Sequence, residues 1–221
     1  NVKEFIEFNL IIKNILDNLD KRRVDAMRKF RVDAEDADAS ALLEERDTKL
    51  LDELVEFVTE RLRAFLVGQD LAGRAVAVET FESVRALGVS QPLDIQRRVA
   101  AVHGFVALDA APNLAAANKR IRNILKQAGA VDGSVDAAKF EHDAERGLLD
   151  AMNELATRNA SITDYTSKLV NLASLRAPVD AFFDGVMVNS DNAAVRANRL
   201  ALLRRLDDMC REVADLSCLP G

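Results

Sequence analysis

The apolar residues of this chain recur with the period of an α-helix, and few helix-breaking residues interrupt them. The chain has only nine glycines and four prolines in 221 residues, whereas many short strands joined by tight turns need more of both. The pattern therefore predicts an all-α fold, a bundle of about seven to eight helices with no confident strand. The strongest helical pattern spans residues 49–68, with apolar residues at Leu50, Leu51, Leu54, Phe57, Val58, Leu62, Phe65 and Leu66.

Capping and helix-breaking residues predict where the other helices begin and end. Gly88 and Gly129 are expected to end helices, and Pro92 is expected to open one. Asn113 is expected to cap the helix that ends at Gly129. Towards the C-terminus, helix N-caps are expected at Asp136, at Ser161 and at Asp191 or Asn192. A helix kink or restart is expected at Pro178.

Two segments near the N-terminus differ in character. Residues 3–20 carry an apolar helical pattern that predicts a first helix. Residues 31–46 are acidic and poor in large apolar side chains, which favours a solvated loop or a helix end. The chain starts at Asn1 directly in an apolar pattern, so we expect it to be part of a longer polypeptide.

Composition limits the location and the chemistry of the chain. No apolar run reaches the ~18–20 residues of a membrane span, no signal peptide is present, and two closely spaced cysteines do not form a secreted disulfide framework. We therefore expect a cytoplasmic protein without a membrane partner. His103 and His142 are the only histidines, and neither has a second ligand at metal-binding spacing. We expect no metal site and no catalytic residue.

One predicted helix concentrates positive charge although the chain has a net charge of −6. The segment AAANKRIRNILKQAG contains four cations and no acid: Lys119, Arg120, Arg122 and Lys126. Lys119, Arg122 and Lys126 share one helix face with Asn123, and Arg120 flanks the opposite edge. These are either solvated side chains paired with acids of a neighbouring helix, or a ridge that contacts phosphates while Asn reads a base edge.

The last predicted helix contains an arginine close to the centre of its apolar face. Arg199 is therefore expected to be at least half buried and to need a carboxylate partner. Asp180, Asp184 and Asp191 of the preceding segment could supply it, and we expect a structural ion pair between Arg199 and Asp184. Arg196, Arg204 and Arg205 lie further from the apolar face and are freer to touch a ligand.

Three segments closely resemble the C-terminal region of bacterial glycyl-tRNA synthetase β subunits. They occur in the order LAAANKRIRNILKQAG (114–129), LASLRAPVDAFFDGVMV (172–188) and AVRANRLALLRRLDDMCREVADLSCL (194–219). Residues 57–66 and 93–105 are similar to upstream helices of the same family, so the resemblance runs from about Leu50 to the end. It implies an all-helical, DALR-type anticodon-binding domain.

The resemblance also implies which residues contact RNA. Arg196 and Asn198 match the motif positions most closely tied to this domain type, and the basic helix supplies the rest. The implied RNA-binding set is Asn118, Lys119, Arg120, Arg122, Asn123, Lys126, Arg196 and Asn198. Stacking of anticodon bases would have to use Tyr165, exposed phenylalanines or arginine planes, because the chain has one tyrosine and no tryptophan.

By resemblance, residues 1–221 form a C-terminal domain of a longer β subunit, with preceding helices over about 1–110 and a DALR-like core over about 111–221. The implied partners are tRNA(Gly), the upstream β domains and an α subunit, in an α2β2 complex, with no DNA partner. ATP and Mg would serve the α subunit, which activates glycine, and this chain would hold no cofactor.

Two other classes of function stay open. A structural helical domain could hold the α subunit or the rest of β without touching the anticodon. A free-standing enzyme ranks last, because no constellation of acid, base or metal ligands supports one.

Overall fold

A computed structural model describes residues 37–131 and 133–221 of the chain. The helix expected over residues 3–20 lies outside this part. Most of the described residues are helical and only two short strands occur among them, which confirms the all-α prediction. The α-helices are α1 (Ala37–Leu66), α2 (Val78–Arg85), α3 (Pro92–Phe105), α4 (Ala111–Ala128), α5 (Asp143–Asn159), α6 (Tyr165–Leu172), α7 (Arg176–Gly185) and α8 (Ala193–Cys210). Three single 3₁₀ turns are η1 (Ala137–Lys139), η2 (Ala173–Leu175) and η3 (Leu216–Cys218).

The chain divides into two compact units, and the boundary falls between Ala64 and Phe65. Helix α1 contains this boundary. The acidic segment that was expected to be a loop or a helix end is helical from Ala37 onward. No helix among the described residues is long and apolar enough to span a membrane.

A short hairpin follows α1, where the sequence predicts no strand. Strands β1 (Asp70–Leu71) and β2 (Arg74–Ala75) pair antiparallel, with Leu71 opposite Arg74. Ala72 and Gly73 form the connecting turn at φ values of +56° and +80°, the conformation that two-residue hairpin turns require. The Nε2 atom of the buried His103 lies 2.9 Å from the Leu71 carbonyl oxygen, so His103 contributes to the packing of this hairpin.

The core of the second unit is built from the apolar faces of α2 to α8. Helix α4 packs against α8 and η3, α3 packs against α6, and α5 packs against α7. Burial of each large side chain contributes about 1.5–3 kcal/mol to folding. The largest fully buried side chains of this unit include Phe81, Phe105, Ile121, Met152, Phe182 and Leu202.

Helix α4 begins two residues before the expected cap and ends where expected. Pro112 lies in its first turn, and Asn113 is already inside the helix, because the fixed φ of proline suits a helix start. Gly129 closes α4 at φ +76° and donates its N–H to the Leu125 carbonyl at 3.1 Å. That left-handed conformation favours glycine.

Two expected helix starts are displaced, because the residues that cap these helices lie further along the chain. Asp136 caps the short η1 turn, and α5 begins only at Asp143. Asp164, rather than Ser161, caps α6 by accepting a hydrogen bond from the Ser167 N–H at 2.7 Å. Asn192 caps α8 as expected. The break expected at Pro178 is a single 3₁₀ turn, η2, from which α7 restarts with Pro178 in its first turn.

A buried ion pair joins α8 to α5. Arg199 is 2% exposed, and its Nε donates to Oε1 of the fully buried Glu145 at 2.8 Å. The same guanidinium donates to Glu141 at 2.9 Å and to the Met187 carbonyl at 3.0 Å. The predicted burial of Arg199 is confirmed, but the predicted partner Asp184 is wrong. The capping box of α5 brings Glu145 beneath Arg199, and Asp184 lies exposed on α7.

Glu145 is held ionised by its hydrogen bonds. Burial acts to raise the pKa of Glu145, but the hydrogen bond from Arg199 and the backbone N–H groups of Glu141 and His142 outweigh it. The pKa of Glu145 therefore lies below its ordinary value of 4.5. In return, hydrogen bonding to Glu145 raises the pKa of Arg199. This pair fixes the start of α5 against the middle of α8.

We expect Glu145→Gln to lower the free energy of unfolding by about 3–5 kcal/mol, because it leaves the Arg199 charge buried without its main partner. Urea denaturation followed by circular dichroism measures this change. The matched control is Glu141→Gln, which removes a half-exposed carboxylate from the same arginine and should cost less than about 1 kcal/mol. Equal effects of the two changes would contradict the assignment of Glu145 as the main partner.

The stability that Glu145 contributes should depend on pH. Its pKa is lower in the folded state, so the contribution is complete above the unfolded pKa and is lost as pH falls from about 4.5 through the folded pKa. Unfolding should therefore be measured at several pH values for the native chain and for Glu145→Gln. We expect a constant stability difference at neutral pH that narrows below pH 4.5. A difference that widens in acid would contradict this account.

Candidate nucleic-acid interface

A groove of about 600 Å³ lies between α4, α8 and η3. Two acids line it, Asp207 and Asp215, and each is only 4% exposed. The cations that line it are Lys119, Arg122, Lys126, Arg204 and Arg211. Positive charge thus outnumbers negative charge in the groove, and the negative charge lies at its base.

The helical period explains how α4 presents these cations. Leu114, Ile121 and Leu125 are buried on the face that packs into the core. Lys119 and Lys126 lie seven residues apart and are exposed, so they share one edge of the helix. The groove therefore brings together three cations and one amide from the predicted set: Lys119, Arg122, Lys126 and Asn123.

Asp215 organises the cations at the base of the groove. Arg122 forms an ion pair with its Oδ2 atom, and Arg211 approaches the same oxygen at 3.7 Å. The other oxygen, Oδ1, accepts hydrogen bonds from the Ser217 hydroxyl at 2.6 Å and the Ser217 N–H at 3.2 Å. The Asp215 N–H donates to the Ser83 carbonyl of α2 at 2.8 Å. One carboxylate thus fastens α4, the end of α8 and η3 together.

Lys119, Lys126 and Arg204 differ from the cations at Asp215. Each is exposed, and none forms a salt bridge within residues 37–131 and 133–221. Their charges are therefore available to a partner, whereas Arg122 and Arg211 are oriented by an internal carboxylate.

Two predicted RNA contacts, Asn118 and Asn198, are buried in the structure. Asn118 is 1% exposed and donates its amide to Asp207 at 2.9 Å. Asn198 is 4% exposed, and its amide pairs with the backbone N–H and carbonyl of Asp136 at 2.7 and 3.0 Å. Both amides are used to hold elements of the domain together, so neither reaches a ligand at the surface.

Arg196 and Arg120 lie outside the groove. Arg196 is half-buried and donates to the Ser190 carbonyl at 2.8 Å, close to the start of α8. Arg120 lies on the other edge of α4, with its guanidinium 4.2 Å from the centre of the Phe183 ring. Both residues stay predicted RNA contacts, but the structure does not bring them together with the groove cations.

Tyr165, a candidate for base stacking, is already engaged. The Arg98 guanidinium lies 4.3 Å from the centre of its ring. Its hydroxyl donates to Asp94 at 2.7 Å and accepts from Arg98 at 2.9 Å. Arg98 also donates to the carbonyls of Glu212 and Val213. This cluster ties α3 and α6 to the segment that follows α8, so Tyr165 has a structural role.

Cys218 also lines the groove, where its side chain is partly buried. Burial, with the nearby Asp215 carboxylate, raises the pKa of the Cys218 thiol. Burial raises the pKa of Cys210 to about 12. Both thiols are therefore protonated at neutral pH and act as packing groups.

Two cations of the groove, Arg204 and Arg211, are absent from the RNA-binding set predicted from the sequence. Arg204 was recognised as free to touch a ligand, and its position outside the apolar face of α8 was the signal. Arg211 follows the last residue of α8, so helical periodicity does not place it. Only the turn between α8 and η3 brings Arg211 to Asp215.

Comparison with known proteins identifies the class of this fold. Residues 114–216 match the family model described as the DALR anticodon binding domain. This segment contains most of α4, all of α5 to α8 and all the cations of the groove. This segment of the chain is therefore similar to DALR anticodon binding domains.

Relatives of the chain specify the family further. It is 44% identical to the glycine–tRNA ligase beta subunit of Haemophilus influenzae over 77% of its own length and 23% of that protein. It is 46% identical to the glycine–tRNA ligase beta subunit of Acinetobacter baylyi over 78% of its own length and 25% of that protein. The chain is thus a relative of glycine–tRNA ligase beta subunits, and it spans about a quarter of their length.

We expect Asp215→Asn to lower the free energy of unfolding by about 1–3 kcal/mol, because Arg122 and Arg211 lose their shared ionic partner. Asparagine keeps one oxygen for the Ser217 hydrogen bonds, so the change isolates the charge. The control is Asp208→Asn, an exposed acid on α8 that should shift stability by less than about 0.5 kcal/mol. If both variants unfold like the native chain, Asp215 does not organise the groove.

Proposed function

We propose that this chain binds the anticodon arm of a tRNA and that the groove between α4, α8 and η3 contacts its phosphates. The observation that carries the proposal is the excess of five cations over two buried acids in one groove. Arginine and lysine are the side chains that most often contact nucleic-acid phosphates.

The two kinds of cation in the groove suit different tasks. Asp215 pre-orients Arg122 and Arg211, so less side-chain freedom is lost when a phosphate binds. Lys119, Lys126 and Arg204 are exposed, and their charges are not consumed by salt bridges within the described ranges. Binding of a phosphate to these three residues therefore breaks no internal ion pair.

The net charge of −6 is compatible with an RNA partner. Local potential steers a polyanion into a cationic cleft, and negative charge elsewhere limits non-specific association. We therefore expect a binding surface confined to the groove and its rim, rather than one spread over the whole domain.

The relatives suggest the wider setting of this activity. They are glycine–tRNA ligase beta subunits, so we infer that the tRNA is tRNA(Gly). The chain would present the anticodon arm while an α subunit charges the tRNA with glycine, using ATP and Mg, in an α2β2 complex. Residues from about 111 onward would form the anticodon-binding core, after preceding helices and upstream β domains.

The principal alternative is a structural domain that holds the α subunit without touching the anticodon. Two experiments together distinguish the structural role from RNA binding: size-exclusion chromatography of this chain mixed with α, and a gel-shift assay of this chain with tRNA(Gly). Co-elution with α and no shift of tRNA would favour the structural role. A shift with tRNA alone would favour RNA binding.

We expect the triple change Lys119→Gln, Lys126→Gln and Arg204→Gln to weaken tRNA(Gly) binding at least about tenfold at low salt, because three phosphate contacts are lost. The slope of log affinity against log salt concentration should become shallower by roughly 2–3. Fluorescence anisotropy of labelled tRNA across a salt series measures both quantities.

A charge-matched control separates the groove from net charge. Arg97→Gln, Lys139→Gln and Arg158→Gln remove three exposed cations outside the groove. This control should keep the native slope and lose less than about threefold in affinity. If both triple variants lose the same affinity, binding depends on overall charge and the groove is not the site.

A further inference from the structure

A second cleft lies on the other edge of α4 from the cationic groove. It has a volume of about 460 Å³ between α4 and α7. Arg120 lines its α4 side, and Phe183, Asp180 and Asp184 line its α7 side. The proposed tRNA contacts leave this cleft unused, although it combines a stacking surface with hydrogen-bonding groups.

The stacking surface consists of Arg120 and Phe183. The Arg120 guanidinium lies 4.2 Å above the Phe183 ring, the distance of a stacked cation–π pair. The Phe183 ring meets the ring of Phe182 edge-on, with centroids 5.5 Å apart and an interplanar angle of 78°. Because Phe182 is fully buried, it holds Phe183 in place. Arg120 is exposed and offers a planar group to a further ring.

The rim of the cleft carries hydrogen-bond acceptors. Asp180 and Asp184 lie one turn apart on α7. Asp180 is 3.8 Å from Arg176 in a loose, exposed pair. Asp184, which does not pair with Arg199, is exposed and forms no salt bridge among the described residues. Its carboxylate is therefore available to accept hydrogen bonds.

Asn113 adds a donor on the α4 side. With its amide turned so that the oxygen faces Arg176, Asn113 accepts from the guanidinium at 3.2 and 3.3 Å. The two N–H bonds of this amide are left for another partner. The cleft thus offers a flat cationic surface, acceptors and a neutral donor within one small volume.

We propose that this cleft holds one unpaired nucleobase that carries an exocyclic amino group, stacked on Arg120 above Phe183, with the amino group donating to Asp184. The proposal rests on the proposed RNA-binding function and assigns a base to one edge of α4 while phosphates occupy the other. Bases stack on aromatic rings and arginine planes, and aspartate accepts hydrogen bonds from base amino groups.

The charges favour a base over a phosphate at this cleft. Two carboxylates within one turn repel a phosphate, whereas they accept hydrogen bonds from an uncharged ring. The amino group distinguishes cytosine from uracil, because uracil carries a carbonyl oxygen at the same position. That oxygen is an acceptor and cannot donate a hydrogen bond to the Asp184 carboxylate.

The test compares short oligocytidylate with short oligouridylate binding to the whole 221-residue chain, measured by fluorescence anisotropy. We expect the native chain to prefer oligocytidylate by roughly tenfold. Asp184→Ala should bring the two affinities within about twofold of each other, because the discriminating acceptor is lost. Phe183→Leu should weaken oligocytidylate binding by roughly five- to tenfold, and Phe183→Tyr, which keeps the ring, should restore it.

Lys119→Gln is the control for the other edge of α4. It should weaken both oligonucleotides by the same factor and leave their ratio unchanged. Equal native affinities for the two oligonucleotides, or a preference that survives Asp184→Ala and Phe183→Leu, would overturn the base subsite and leave the phosphate groove standing. Failure of the chain to bind tRNA(Gly) or either oligonucleotide would overturn both proposals.

Discussion

The carboxylate of Asp215 is the interaction on which the cationic groove depends. It draws Arg122 of α4 and Arg211 beyond α8 to one point, and it caps η3 through Ser217. Without this buried negative charge, two arginines would repel each other at the base of the groove. The groove is therefore cationic because five cations line it against two acids, Asp207 and Asp215, each of which is 4% exposed.

Elsewhere in the second unit, other acids also neutralise arginines within the fold. Glu145 compensates Arg199 in the interior, and the Asp94 carboxylate, bonded to Arg98 and Tyr165, ties α3 to α6. These buried and partly buried pairs hold the helices in register and neutralise charges that would otherwise compete at the surface. Helix α4 can then present different chemistry on its two edges: exposed cations on one, and a stacked arginine beside carboxylates on the other.

Local pattern predicted much of this arrangement. Helical period placed Lys119 and Lys126 on one edge of α4 and Arg199 inside. It did not predict Glu145 as the partner of Arg199, because Glu145 lies 54 residues earlier and helical period does not record which helices pack together. For the same reason, helical period does not show that Asn118, which the resemblance implied as an RNA contact, is held in the core by its tertiary partner Asp207.

The central claim is that the groove edge of α4 contacts RNA, and protection of its lysines from acetylation tests this most directly. The chain is treated with an amine-acetylating reagent with and without tRNA(Gly), and each lysine is quantified by mass spectrometry. The account predicts that tRNA protects Lys119 and Lys126 but leaves Lys139, an exposed lysine outside the groove, unchanged. Equal acetylation of Lys119 and Lys126 in both samples, under conditions where tRNA is bound, would contradict it.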